Sequence, residues 1–198
     1  MPKLAVPTEE EVVKKNPKIL TLHPLIRPRC IQHVILCYKA GVPIRITQGQ
    51  RTFEEQDNLW QKGRVLRPGG NWANDGDWIE NPKKIVTRVR KWGWHTVDQA
   101  TGACAYDVAL LIVNADGVVK AVTWEKGDRD GDGIDDWREV ADRGLEAGMD
   151  AGFFWTKFMD VPHFERHRGL DMLAAISRSE RNLDVLTGRA IPGDTMMA

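Results

Sequence analysis

The sequence predicts an α+β fold, a small antiparallel sheet with flanking helices, and three observations carry that expectation. Two apolar runs, Ala105–Val113 and residues 118–124, are joined by Asn114-Ala115-Asp116-Gly117, a turn sequence that builds antiparallel pairing into the middle of the chain. Helical periodicity and capping patterns occupy the first third and return after residue 136. Strand and helix runs segregate, without the regular alternation of a parallel α/β sheet. At 198 residues and 42% hydrophobic content, residues 1–198 read as one unit with a sizeable core and no internal repeat.

Taken in order, Thr8 and Glu11 make a capping-box pair that starts a short helix ending before Asn16-Pro17. Across residues 24–40, Ile31, Val34, Ile35 and Tyr38 recur at helical spacing, and Gly41 stops the helix. Residues 42–47 read as a strand that delivers Arg51 at its exit. Thr52 with Glu55 repeats the capping box and opens a helix through Lys62, with Gly63 after it. Residues 65–82, rich in Gly, Asn, Asp, Pro and Trp, read as a long loop, and loops of such length are more often functional or mobile than idle. After the hairpin, a helix is expected over residues 136–148, short strands at 153–155 and 162–164, and a closing helix over 170–182.

Lys plus Arg and Asp plus Glu both number 28, so no strong positive field exists to hold a nucleic acid. The amino-terminal residues Met1 to Pro7 run into Glu9-Glu10-Glu11 without an apolar core, unlike a secretory signal peptide. No run approaches the roughly 18 to 20 apolar residues of a membrane span, so no membrane insertion and synthesis in the cytoplasm are expected. Cys30 and Cys37 lie seven apart on one face of the second helix, as small buried side chains do, and no C-x-x-C spacing occurs.

Chemistry concentrates in two stretches: Trp94-His95 followed by Gly102-Ala103-Cys104-Ala105-Tyr106-Asp107, and Asp160-Val161-Pro162-His163-Phe164-Glu165. They supply two imidazoles and a carboxylate suited to one zinc ion, with a second carboxylate three residues before the last histidine to act as a base. Three protein ligands leave a fourth position for water, the arrangement of a catalytic zinc, which points to hydrolysis. Lone histidines are more often surface or satisfied core residues, so His23 and His33 receive no role. His163 and His167 have the spacing of a helical zinc pair, but Pro162 and the aromatic neighbours favour a strand, leaving His167 exposed or behind a ligand. Cys104 reads as a strand side chain packed beneath the site, with contact to the metal as the alternative.

In this order and at these separations the motifs resemble the zinc peptidases of the D-Ala-D-Ala peptidase and hedgehog-like group, most closely the phage L-alanyl-D-glutamate endopeptidases. The likeness runs from about Leu22 to Glu165 and includes Ile46-Thr47-Gln48-Gly49-Gln50-Arg51-Thr52, Lys84-Ile85-Val86-Thr87 and Trp155-Thr156-Lys157-Phe158. It implies His95, Asp107 and His163 as zinc ligands. It further implies Asp160 as the base that takes a proton from water and passes it to the leaving amine, and Arg51 as a fork of donors for a substrate carboxylate or developing oxyanion. The family places the first histidine seven residues before the aspartate, in a His-x-x-Gly-x-Ala-x-Asp run. Here His95 and Asp107 are twelve apart and Ala100 stands at the strict position, so residues 96–100 read as a five-residue insertion.

The resemblance implies hydrolysis of peptidoglycan stem peptides by a phage endolysin, a monomer that reaches the wall through a holin-type partner. A D-Ala-D-Ala carboxypeptidase or dipeptidase on the same scaffold is the alternative: an open groove favours the endopeptidase, a pocket closed beyond Arg51 the exopeptidase. A non-catalytic calcium-dependent wall-binding module is the alternative of another class. No wall-binding repeat is visible, which suits a thin, accessible wall such as that of Gram-negative bacteria. Trp72, Trp78, Trp92 and Trp94 flank the approach to His95, either as an aromatic rim for a glycopeptide or as core and loop anchors. The basic cluster from Lys83 to Lys91 is a solvated face or a steering patch for an anionic wall polymer.

A second metal pattern lies at Asp128-Arg129-Asp130-Gly131-Asp132-Gly133-Ile134-Asp135-Asp136-Trp137-Arg138-Glu139. Oxygen donors fall at positions 1, 3, 5, 9 and 12 of a twelve-residue calcium loop, namely Asp128, Asp130, Asp132, Asp136 and Glu139, with Gly133 at the turn and the Ile134 carbonyl at position 7. The usual apolar residue at position 8 is displaced to 7, so a single loop at 128–139, inserted without a paired EF-hand, is expected. Calcium there would order or reposition one wall of the site, so the enzyme would stay weakly active in the cytoplasm, where free calcium is scarce, until it reaches the wall; an acidic solvated loop is the alternative.

Overall fold

In the computed structural model, which describes residues 4–74, 76–167 and 169–191, the expected hairpin lies at the middle of the sheet. Residues 1–3 of the amino-terminal stretch, and Asp75 within the expected 65–82 loop, lie outside the described residues. Strand β4 (Ala105–Val113) is flanked by β1 (Ile44–Gln48) on one edge and by β7 (His163–Glu165) and β5 (Val119–Thr123) on the other, all antiparallel; β6 (Asp150–Ala151) extends the sheet beyond β7. The mixture of this sheet with five α-helices among the described residues is the α+β class the pattern predicts.

Both capping boxes form. Thr8 caps α1 (Glu9–Lys15) and Thr52 caps α3 (Phe53–Gln61), each hydroxyl accepting from the backbone N–H three residues on while the glutamate there reaches back. Helix α2 (Arg27–Ala40) begins three residues later than the periodicity suggests. The His23 imidazole accepts from Leu25 N–H, and the Ile26 N–H bonds the His23 carbonyl, so residues 24–26 form a turn. Gly41, in a left-handed conformation at φ 102°, ends α2.

Residues 65–82 are not wholly loop. Strand β2 (Arg64–Leu66) pairs with β3 (Trp78–Glu80), a hairpin too short to show periodicity and held by side chains from elsewhere. Trp60 of α3 meets Trp72 and Trp78 edge-on, and the buried Arg64 lies over the Trp60 ring while pairing with Glu80 at 2.9 Å. Residues 153–155 are not a strand either. Gly152–Phe154 is a 3-10 turn, and the two residues before it supply β6 instead. Helix α4 (Asp136–Glu146) follows the acidic loop, and α5 (Met172–Glu180) closes the fold.

One apolar core joins α2, β1, β4, α4 and β7, through Cys30, Val34, Ile44, Val108, Leu110, Trp137, Val140 and Phe164, none more than 2% exposed. His33 is buried among them and bridges three elements: Nδ1 lies 3.0 Å from the Tyr106 hydroxyl of β4 and Nε2 2.9 Å from the Val140 carbonyl of α4. Burial pushes its pKa down to about 4, so the ring is neutral at pH 7 and donates from Nε2. Among the described residues no helix is long and apolar enough to cross a membrane.

Candidate metal centre and active site

Asp107 is placed by register. It lies opposite His163 of β7 on one side and Gln48 of β1 on the other, so an antiparallel pairing sets one proposed ligand beside another. His95 comes from a turn and is held twice by the segment after β1. Its Nδ1 donates to the Gly49 carbonyl at 2.7 Å, and its own carbonyl accepts from Arg51 N–H at 2.9 Å. The intervening residues 96–100 are folded down. The buried Asp98 carboxylate accepts from the N–H groups of Ala100, Thr101 and, far along the chain, Val185. The structure therefore brings His95 to Asp107 and His163 despite the twelve-residue separation.

His95 Nε2 lies 3.3 Å from Asp107 Oδ1, His163 Nδ1 lies 3.1 Å from the same oxygen, and the two ring nitrogens are 3.3 Å apart. Each ring has its other nitrogen committed: His95 Nδ1 to Gly49, and His163 Nε2 to the Glu165 carboxylate at 2.9 Å. Two imidazole lone pairs and a carboxylate oxygen thus converge, a donor set that needs a cation at its centre. Burial opposes charge on His163, but the carboxylates of Asp107 and Glu165 outweigh it and push its pKa up to about 10. His95 is lowered, chiefly by burial, with the Asp107 charge working against that. For Asp107, burial is overcome by His95 and His163, which hold it well below the usual carboxylate range. Two histidines and one carboxylate, each histidine fixed through its far nitrogen, fit zinc.

These groups sit against a cleft of about 320 Å³ whose walls include Arg51, Trp94, Trp155, Asp160 and Glu165. Asp160 is carried by a tight loop. Its N–H bonds the Gly152 carbonyl, its carbonyl accepts from His163 N–H at 3.1 Å, and a Cβ on Gly152 would collide with the Asp160 backbone. Burial raises the Asp160 pKa, and Asp107 adds to this, while His163 and His95 oppose it. Arg51 also faces the cleft, but its guanidinium is engaged: it forms an ion pair with Asp107 Oδ2 and donates to Gln56 Oε1 at 3.3 Å. A second depression of about 280 Å³, lined by Gln48, Glu55, Asn58, Leu59 and Lys62, shares Arg51 as a wall.

Of the four tryptophans flagged from sequence, Trp94 lines the cleft and stacks on His167 at 4.7 Å, whereas Trp72, Trp78 and Trp92 anchor Trp60 and Phe53. Trp155, 5.1 Å from the His163 ring, is a cleft residue that sequence reasoning missed. So is Glu165; its position two residues after His163 in a strand, hence on the same face, was the available signal. Cys104 is buried outside the histidine and aspartate group, its thiol pushed up by burial.

In the acidic loop, Asp128, Asp130 and Asp136 present oxygens within 4.8 Å of one another, as do Asp130, Asp132 and Glu139. Asp128 accepts from the N–H groups of Gly131 and Gly133, and Asp135, at the position where an apolar residue is usual, caps α4 instead. The Ile134 side chain is exposed. Glu139 is 7% exposed, its Oε2 is buried without a partner, and burial, reinforced by Asp132, Asp130 and Asp136, raises its pKa to about 7.

No family model matches the chain. It is 30% identical over 146 residues to a protein of Bacillus subtilis (strain 168) named peptidoglycan L-alanyl-D-glutamate endopeptidase CwlK, an alignment that covers 73% of this chain and 72% of that one.

Proposed function

Since the chain belongs to the family of peptidoglycan L-alanyl-D-glutamate endopeptidases, within the zinc peptidases of the D-Ala-D-Ala peptidase and hedgehog-like group, we propose that it is a zinc-dependent peptidase cutting the L-alanyl-D-glutamate bond of stem peptides. The observation that carries this reading is the convergence of His95 Nε2, Asp107 Oδ1 and His163 Nδ1 beside a cleft that also presents Asp160. Bound by these three atoms, zinc supplies Lewis-acid chemistry, acidifying water and polarising the scissile carbonyl. Asp160, with its raised pKa, takes the proton of the attacking water and returns it to the leaving amine. Glu165 holds the His163 ring in the tautomer that leaves Nδ1 free. Arg51 steadies Asp107 and presents its cleft side to a substrate carboxylate or oxyanion. The second depression, which shares Arg51 as a wall, supports an endopeptidase over an exopeptidase, because a substrate extended in both directions needs room past that residue.

We assign residues 1–198 to one catalytic unit, acting as a monomeric phage endolysin that reaches the wall through a holin-type partner. The loop at 128–139 is its calcium site, with Asp128, Asp130, Asp132, Asp136, Glu139 and the Ile134 carbonyl as ligands. The unpartnered, buried Glu139 oxygen supports this, as an unneutralised carboxylate there is costly. So does Asp130. A Cβ on Gly41 would come within 2.9 Å of its Oδ2, placing that charge at the negative end of the α2 dipole. Calcium would then favour the closed loop and the start of α4, raising activity outside the cytoplasm.

Mass spectrometry of fragments released from purified peptidoglycan tests the function. New amino-terminal D-glutamyl peptides are expected; cleavage only at another bond, or wall binding that survives zinc removal with no cleavage before it, overturns the reading.

A further inference from the structure

Among the described residues two arginines line the cleft, and they differ in how much of their charge is already used. Arg51 is paired with Asp107 and bonded to Gln56, so part of its charge is already used. Arg88, on the run of residues 87–89 that also lines the cleft, has a side chain 57% exposed and pairs with Glu80 at 3.7 Å. Glu80 is committed elsewhere, its other oxygen held by buried Arg64 at 2.9 Å. Arg88 is therefore a guanidinium on a cleft wall with most of its donors free.

Its position is fixed by a buried residue. Gln56 of α3, 3% exposed, accepts from Arg51 and donates to the Val89 carbonyl at 2.6 Å, so one amide ties the segment carrying Arg88 to the arginine beside Asp107. Asp160 and Glu165 make other parts of the same cleft acidic. The exposed guanidinium of Arg88 is the cleft group with donors to spare for an anionic group on a substrate.

The proposed substrate carries such a group. Glutamate has two carboxyl groups, the peptide continues through one, and the other remains as a side group, either free or amidated. We propose that Arg88 binds this carboxylate in its free form and so makes the enzyme selective for stem peptides whose glutamyl residue is not amidated, an inference that rests on the substrate reading above. Arg88 offers a planar fork of donors, and a carboxylate matches it bidentately where an amide cannot.

The test uses zinc-loaded enzyme and two synthetic stem peptides that differ only in that carboxyl, free acid against primary amide. Wild type is expected to prefer the acid in kcat/KM by about tenfold to a hundredfold, as for a charge-assisted hydrogen bond, mainly through KM. In Arg88→Gln the ratio falls towards one with zinc content unchanged, and Arg88→Lys restores part of it. Loss of the Glu80 contact alone would lower both rates and leave the ratio intact. A wild type without preference, or an Arg88→Gln variant that keeps it, overturns the assignment to Arg88. Failure of wild type to cut either peptide overturns the substrate reading itself.

Discussion

Glu165 makes no contact with the converging ligand atoms, yet its removal is expected to weaken zinc binding. Its carboxylate accepts from His163 Nε2 at 2.9 Å, with a side chain only 12% exposed, so the bond is charge-assisted and poorly screened. Such bonds contribute about 1.5 to 3 kcal/mol, and at about 1.4 kcal/mol per tenfold this is roughly a tenfold to hundredfold change in metal affinity. Glu165→Gln keeps an acceptor oxygen while losing the charge and belongs at the lower end. Glu165→Ala also frees the ring to rotate and belongs at the upper end. The assay is competition for zinc against a chromophoric chelator at neutral pH, with circular dichroism to verify the fold. Wild-type affinity in Glu165→Ala would show that Gly49, Asp107 and packing against Trp155 suffice to orient the histidines, and would refute the reasoning.

Asp160→Asn is expected to retain stoichiometric zinc and lose about a hundredfold to ten-thousandfold in turnover, read by metal analysis beside the peptide assay; loss of zinc instead would make Asp160 a ligand. Calcium added to zinc-loaded, calcium-stripped enzyme should raise both wall lysis and melting temperature in wild type and neither in Asp130→Ala/Asp132→Ala, and equal lysis with and without calcium sinks the switch. Above pH 6.5 the buried, neutral His33 costs nothing. Below it the unfolded chain takes up a proton that the folded one refuses, so stability falls until pH reaches about 4. At about 1.4 kcal/mol per pKa unit, the drop is about 3 to 4 kcal/mol, and urea titrations of His33→Gln should show a correspondingly shallower acid slope.

What could be read in the sequence was what local chemistry dictates. Thr8, Thr52 and Asn114 to Gly117 act on neighbours a few residues away, and the structure forms the caps and the hairpin where those residues stand. The short hairpin of β2 and β3 was invisible because its cause is Trp60, a residue of α3 with its own reasons to be apolar. Residues 153–155 carry strand-forming side chains, but the Gly152 to Asp160 closure requires a turn there, and that closure depends on where His163 must lie. The candidate ligands were named from residue type and order. Their supports, Gln56 and Glu165, were not, since a buried glutamine or a glutamate behind a histidine is recognisable only once the partner's position is known.

The folded-down stretch between His95 and Asp107 bears on how such sites diverge. Lengthening a flexible connection from seven residues to twelve adds only about 0.5 kcal/mol of closure entropy, and here the bonds that Asp98 makes to Ala100, Thr101 and Val185 offset that. By contrast, a shift of one residue in the pairing of β4 with β7 would turn Asp107 to the opposite face of the sheet and scatter the three atoms. Selection can therefore tolerate drift in the number of residues separating ligands while holding strand alignment rigidly. Relatives of this chain are better sought by the pairing partner of their aspartate than by the distance to their first histidine.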